Sequence, residues 1–468
     1  MVTSRKSLRP AALEAPIAIT SHSHPSVSKG GAEIAAYTLF KGLLSLGADA
    51  IFVAACPSNS HNRLDLGSQR EYAIVYEPFG YDHFYHLATR RLWQELSAIL
   101  HAHNVALVNF HHYLHFGINS LRRVACDQTI KLVVSLHEFL AICHHHGQMV
   151  TRSGQLLCKA ASPASCASCF PEHSTQQFKL RRELFLDTFG IIDGFVSPSR
   201  FLADRYAEWG LPRECLTVIE NGLAQTARDP ARRAQSAGDR WVFGYFGQIT
   251  PFKGVDTLLQ AAEIIARSPD LATRIGIRIH GNFVGQSEEF IARLTAAVER
   301  HPFLSYAGPY ENALAGDLMS ECDYVVVPSR WWENSPVVIQ EAFAAGRPVV
   351  CSGIGGMAEK VTDGVSGLHY RMGDPDDLVR VLTRAADDAL FTKLQQGLPK
   401  VADGRRMAEA YLSLFDRLLE DLPITEPQTA AVPGGSAPSA ARRRTQCQRR
   451  APACADLGEA LHPDHKSY

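Results

Sequence analysis

The chain has 468 residues, 46% hydrophobic and 20% charged, with 47 Lys and Arg against 48 Asp and Glu for a formal net charge of -1. This composition excludes a wholly disordered chain and a small scaffold, and it predicts two or three domains with full hydrophobic cores. The near-balanced charge supplies no global field toward nucleic acid or acidic lipid, so nucleic acid is not an expected partner.

The first fifteen residues carry basic side chains but no apolar core of a secretion signal. No apolar run approaches the roughly 18 residues of a membrane span, so the expected compartment is the cytoplasm. Short runs rich in Val and Ile predict strands at Ile17–Thr20, Ile51–Ala55, Ala106–Phe110, Lys131–Leu136, Gly194–Ser197 and Leu216–Ile219. A second series follows at Trp241–Phe246, Gly276–His280, Leu304–Tyr306, Tyr324–Val327, Pro348–Cys351 and Leu368–Tyr370. Segments of helical period separate them. Nearly continuous apolar strands of this kind belong to parallel sheets covered by helices on both faces, so the fold class is α/β, with two doubly wound units.

The first unit is expected over residues 11–223 and the second over 241–404, joined by a polar linker at 224–240. Helical spacing of Met407, Tyr411, Leu414, Phe415 and Leu418 predicts a last amphipathic helix over 405–422. Residues 423–468 are rich in Pro, Ala, Gly, Ser and Arg without periodicity, and read as a disordered tail.

The most informative stretch is Val326-Val-Pro-Ser-Arg-Trp-Trp-Glu-Asn-Ser-Pro336, continuing through Glu341 to Gly346-Arg-Pro-Val-Val350. It reads as strand, loop, helix, strand. Ser335 is expected as the helix N-cap, Pro336 as the first helical residue and Gly346 as the left-handed residue after the end. Glu333 and Glu341 then flank the free amides of the helix start. Ser335 to Glu341 spans roughly 9 Å, comparable to a ribosyl diphosphate. A carboxylate is an acceptor for paired hydroxyls, so two of them suit the diols of a ribose and a hexose. The competing reading is of ordinary acids favoured by the helix dipole.

The E-N-S-P-x4-E-A-x-A-x-G-R-P-V-V pattern, with its E-x7-E spacing, resembles the retaining GT-B glycosyltransferases, most closely glycosyltransferase family 4 (glycosyl transferases group 1). Further matches follow in the family's order: Gly30-Gly31-Ala32-Glu33, His137, Ser197-Pro198-Ser199, Asn221-Gly222, Gly247 through Lys253-Gly254, and Gly353-Ile354-Gly355-Gly356 with Glu359. The resemblance covers about residues 15–420. It implies two facing Rossmann-like domains with a cleft between them, the first for the acceptor and the second for the donor. It further implies retaining transfer of a sugar from a nucleotide-diphosphate sugar to a glycan or lipid-linked glycan, in polysaccharide or cell-surface glycan biosynthesis. No cofactor or metal is required for that chemistry, and a lipid-linked acceptor would bring peripheral contact with the inner face of the membrane.

Carried over residue by residue, the resemblance assigns the ribose to Glu341, the transferred sugar's hydroxyls to Glu333, and the diphosphate to Lys253. His137 would lie near the reacting carbon. Gly30 and Gly31 would admit the diphosphate, and Gly247, Gln248, Asn334, Ser335 and Pro336 would complete the donor site. Gln248 departs from the family, which often has Arg there; a neutral amide cannot replace a guanidinium, so Lys253 carries more of the load. Two alternatives remain at this stage. A sugar-nucleotide epimerase of the same fold is argued against by the E-x7-E stretch, and a non-catalytic nucleotide-sugar-binding scaffold is suggested by Gln248 and the tail.

An insert at 139–173 carries Cys143, Cys158, Cys166 and Cys169 in the spacing C-x14-C-x7-C-x2-C. Its C-x2-C end suits tetrahedral zinc, which would be structural; free thiols in a long insertion are the alternative. His111, His112 and His115 stand at another strand end, either facing the cleft or scattered on the surface.

Overall fold

The computed structural model describes residues 10–224, 240–283 and 285–420. The expected linker at 225–239 and the expected tail lie outside the described residues.

Among the described residues, seven strands form the first sheet: β1 (Ile17–Ser21), β2 (Ala50–Pro57), β3 (Glu71–Tyr76), β4 (Leu107–Phe110), β5 (Lys131–Ser135), β6 (Gly194–Ser197) and β7 (Leu216–Val218). Six form the second: β8 (Trp241–Phe246), β9 (Ile275–His280), β10 (Leu304–Gly308), β11 (Tyr324–Val327), β12 (Val349–Ser352) and β13 (Gly367–Tyr370). The expected strands are present. Strand β3 was not anticipated: it is the half-exposed edge of the first sheet, and its alternating burial lacks the continuous apolar run of a central strand.

The orders are β3-β2-β1-β4-β5-β6-β7 and β10-β9-β8-β11-β12-β13, and the printed pairings are all parallel. Each sheet therefore reverses its winding once, between β1 and β4 and between β8 and β11. In doubly wound sheets, ligands bind at the carboxyl ends of the strands beside that reversal.

Strand residues alternate between two cores. Ala18, Val53, Val108 and Val134 face one side of the first sheet, while Ile17, Ile19, Phe52 and Val133 face the other. The second side is covered by the helix Gly31–Ser45 and by the last helix, Gly404–Glu420, whose Met407, Tyr411 and Phe415 join that core. The chain thus crosses back from the second sheet to seal the first. No described helix is long and apolar enough to cross a membrane.

Contact between the helices Gly31–Ser45 and Gly404–Glu420 depends on two glycines. A Cβ on Gly42 would lie 2.3 Å from the Gly404 carbonyl oxygen and 2.9 Å from Ala408 Cβ. Gly42→Ala should therefore destabilise the fold by about 1–3 kcal/mol through overpacking. Thermal unfolding measures this, and an unchanged Tm would contradict the packing described.

Candidate functional site

At the reversal of the second sheet, β8 ends at Phe246 and passes to Gly247, whose φ of 146° favours glycine. The Gly247 amide donates to the His280 carbonyl at 3.2 Å. Gln248 follows with its side chain exposed, its carbonyl accepting from the Tyr245 hydroxyl at 2.5 Å. The loop then carries Lys253 to Gly254, where φ is 78° and a Cβ would stand 1.9 Å from the Pro328 carbonyl oxygen. Only glycine lets the helix Val255–Ala266 begin this close to the end of β11.

Beyond β11, Glu333 is buried, and its Oε1 accepts from Lys253 Nζ at 2.7 Å, Ser329 Oγ at 2.8 Å and Trp331 Nε1 at 2.8 Å. Burial alone would raise its carboxyl, but the Lys253 charge and these hydrogen bonds outweigh it and hold the group below the ordinary carboxylate range. The Lys253 ammonium also stands 5.1 Å from the Trp331 ring centre. Sequence reasoning assigned Lys253 and Glu333 separate tasks; the structure makes them partners.

The helix after this loop runs Val337–Ala344, with Pro336 as its N-cap residue. This corrects the expected boundary: Ser335 makes no capping bond, and its Oγ is buried without a protein partner, as is Asn334 Oδ1. Pro336, which has no N–H to donate, takes the cap position in extended conformation instead. Gly346 is left-handed as expected, with φ 71°. Glu341, on this helix, lines a cavity of about 300 Å³ together with Gly31, Ile34, Asn221, Asn312 and Val337. Burial pushes its carboxyl up to about 7. The cavity thus has walls from both domains.

At the reversal of the first sheet stand histidines from three strand ends. His22 follows β1, His111 and His112 follow β4, and His137 follows β5. His111 Nδ1 and His137 Nε2 lie 3.0 Å apart, and His111 stacks on Tyr411 of the last helix at 5.9 Å. Burial lowers His137 to about 3 and holds His111 and His112 well below the ordinary imidazole value, so these rings are neutral. His111 and His112 are buried, which overturns the surface reading. The strand-end repeats S-H-S-H, H-H-Y-L-H and H-E were the signal available for this gathering.

Gly30 is the N-cap residue of the helix Gly31–Ser45, with Gly31 beside it. A Cβ on Gly30 would meet Glu33 Oε2 at 2.5 Å, whereas Gly31 has open space around it. The demand for glycine at Gly30 thus comes from the Glu33 carboxylate.

The two reversals are joined. Asn334 Nδ2 donates to the His137 carbonyl at 2.9 Å, and Gln340 Nε2 to the Asn221 carbonyl at 2.7 Å. The Glu359 carboxylate accepts from the Arg200 and Phe201 amides at 2.8 and 2.7 Å, satisfying free N–H groups at the start of the helix Arg200–Trp209. Trp332 Nε1 donates to the Cys158 carbonyl at 3.1 Å, so the cysteine insert abuts the loop that carries Glu333.

The expected zinc set is not assembled. Among the described residues no group of three or more His, Cys, Asp or Glu is placed to hold a metal ion. Cys143 and Cys158 pack against the first-domain core, whereas Cys166 and Cys169 pack against the separate cluster of Phe84, Phe170 and Phe178. All four are free, and burial pushes the Cys143 and Cys166 thiols up to about 11.

Residues 29–224 match the family model described as Glycosyltransferase Family 4, and residues 240–388 the one described as Glycosyl transferases group 1. A D-inositol 3-phosphate glycosyltransferase of Thermomonospora curvata is 29% identical over 205 residues, covering 43% of this chain and 47% of the relative. A lipopolysaccharide 1,2-N-acetylglucosaminetransferase of Salmonella typhimurium is 31% identical over 207 residues, covering 41% and 53%. The chain thus spans about half the length of these curated relatives. Among solved structures, Anabaena HepE in complex with UDP and glucose superposes with a TM-score of 0.60 at 18% identity, covering 86% of this chain and 100% of that one. Sucrose-phosphate synthase from Thermosynechococcus elongatus gives 0.64 at 16% identity, covering 87% and 99%. With two parallel-sheet Rossmann-like domains facing across a cleft, and with both halves matched in order, the chain belongs to the GT-B glycosyltransferases of family 4, glycosyl transferases group 1.

Proposed function

We propose that this protein is a retaining glycosyltransferase that moves a sugar from a nucleotide-diphosphate donor to a glycan or lipid-linked glycan, in polysaccharide or cell-surface glycan biosynthesis. The observation that carries the reading is the Lys253–Glu333 pair at one sheet reversal, joined through Asn334 to His137 at the other. The donor's nucleotide occupies the cavity beside Glu341, whose carboxylate accepts from the ribose hydroxyls. Its diphosphate lies against Lys253, and its sugar against Glu333 and His137.

In the reaction the bond from the anomeric carbon to the phosphate oxygen breaks, and its electron pair stays on the phosphate. The acceptor oxygen bonds to the same face of that carbon, and its proton passes to the departing phosphate. Lys253 meets the growing negative charge in a site with little water, where a fixed cation acts strongly. The chemistry requires no metal, since an ammonium and backbone amides take the anion. Ser335 Oγ and Asn334 Oδ1, buried and unpartnered, are free to bind the donor. A protein working on such donors acts on the cytoplasmic side, with peripheral membrane contact where the acceptor is lipid-linked.

Lys253→Ala should lower turnover by at least about 100-fold, or ~2.7 kcal/mol of barrier. Because that change also strands Glu333 as a buried charge, the double variant Lys253→Ala/Glu333→Gln should regain stability but not activity. Turnover of Lys253→Ala within tenfold of the parent would sink the assignment.

Glu341→Ala should abolish the thermal stabilisation produced by a nucleotide sugar, which at 100 times its Kd amounts to about 2.7 kcal/mol in the parent. Retained stabilisation in the variant would place the ribose elsewhere.

The raised Glu341 carboxyl sets a pH dependence. Below about 7 it is protonated, and above it accepts two hydroxyls, so affinity for a nucleoside diphosphate should rise as pH passes through about 7. Over the preceding range, from 4.5 to about 7, the empty protein should lose stability, because the unfolded carboxyl ionises first. Titration calorimetry on parent and Glu341→Gln tests both; the variant should show neither slope.

A further inference from the structure

Buried polar atoms without a protein partner gather at the reversal of the first sheet. They are Ser21 Oγ and His22 Nδ1 after β1, His111 Nε2 after β4, and Glu138 Oε2 after β5. Such groups cost about 1–3 kcal/mol each when left unpaired, so a crevice lined with them is built for a polar occupant.

Two carboxylate–imidazole pairs border this crevice. His22 Nε2 lies 3.4 Å from Glu33 Oε1, and His112 Nε2 lies 3.3 Å from Glu138 Oε1. The two imidazoles touch, with ring centres 4.4 Å apart, which links the pairs into one chain across β1, β4 and β5. His115 closes the edge, its Nδ1 3.1 Å from the His22 carbonyl oxygen. The guanidinium that acts on Glu138 is Arg181, and its N–H groups are already given to the Phe84, Ala141 and Leu140 carbonyls at 2.8, 2.5 and 2.6 Å.

We infer that this crevice receives the acceptor, and that the part of the acceptor it holds is an uncharged, hydroxyl-rich sugar rather than a phosphate ester. The inference rests on the glycosyltransferase reading above. A neutral imidazole offers one donor and one acceptor nitrogen, and a carboxylate offers acceptors, which together match hydroxyls that both give and take hydrogen bonds. Burial keeps His22 and His112 below the ordinary imidazole value, and His115 at about 4, so none supplies a resting positive charge at neutral pH. A phosphate would meet two carboxyl groups and uncharged rings, with the nearby guanidinium occupied by carbonyls. Desolvating an anion without a counter-ion is costly, whereas a site made for hydroxyls rejects poor matches strongly. This separates the chain from those relatives named for D-inositol 3-phosphate.

The test uses the full-length protein with UDP-sugar donors and follows nucleoside diphosphate release. Methyl hexosides and inositol are compared with hexose 1-phosphates, hexose 6-phosphates and inositol 3-phosphate as acceptors. The neutral set should stimulate release at least tenfold and the phosphate esters less than twofold. His112→Ala and Glu138→Gln should lose that stimulation by about 100-fold while keeping the UDP-induced thermal shift, which also shows that they fold. Stimulation mainly by phosphate esters, stimulation by neither class in a protein that hydrolyses donor, or loss of the UDP shift in both variants would overturn the inference. No donor binding and no release under any condition would instead overturn the glycosyltransferase reading itself.

Discussion

The Lys253–Glu333 ion pair is the interaction around which the cleft is arranged. Removing two charges from water is costly, and such a pair persists only where its surroundings satisfy the remaining valences. Here Ser329 and Trp331 complete the shell of Glu333 Oε1. Gly254 is needed because Lys253 must leave its loop directly against the Pro328 carbonyl. A buried pair of this kind is poor evidence for stability, since apolar residues would often do as well. It is better understood as a poised cation, held in place until an incoming diphosphate offers it more negative charge.

The second constraint is topological. Parallel strands place their free carboxyl ends on one edge, and a sheet that reverses its winding opens a crevice there. Both sheets reverse once, and the chain spends its chemistry at those two points: an ammonium and carboxylates on one side, neutral imidazoles and carboxyl groups on the other. The difference in chemistry follows from what each side would handle. A diphosphate needs a charge, whereas hydroxyls need only matched donors and acceptors. The bonds from Asn334 to His137 and from Glu359 to the helix start at Arg200 keep the two crevices opposed.

The cysteine insert and the last helix act as supports for these crevices. The insert places the Cys158 carbonyl under Trp332, next to Glu333, and its loop is clamped by Arg181. The last helix returns to the first domain, and Tyr411 lies under His111 while its hydroxyl stands 2.9 Å from Ser135 Oγ. The rings behind His137 are therefore held by a segment that follows the donor domain in the chain. Any movement of one domain against the other pulls on that helix.

Local order was legible in the amino-acid sequence. Near-continuous Val and Ile runs such as Val325–Val327 specify strands buried on both faces, Gly346 marks a left-handed helix end, and the E-x7-E spacing with its neighbours marks the donor loop. Edge strand β3 escaped because half-exposed strands lack the continuous run, and the Ser335 cap failed because the preceding loop bonds across the cleft instead. Tertiary structure alone decided which distant groups meet: Lys253 with Glu333, His22 with His112, and Tyr411 with Ser135. Periodicity along a chain reports the face a residue presents, but strand order and the reversal of winding decide which faces and ends become neighbours. That order depends on packing the whole molecule, which is why the histidine crevice was visible in sequence only as scattered residues.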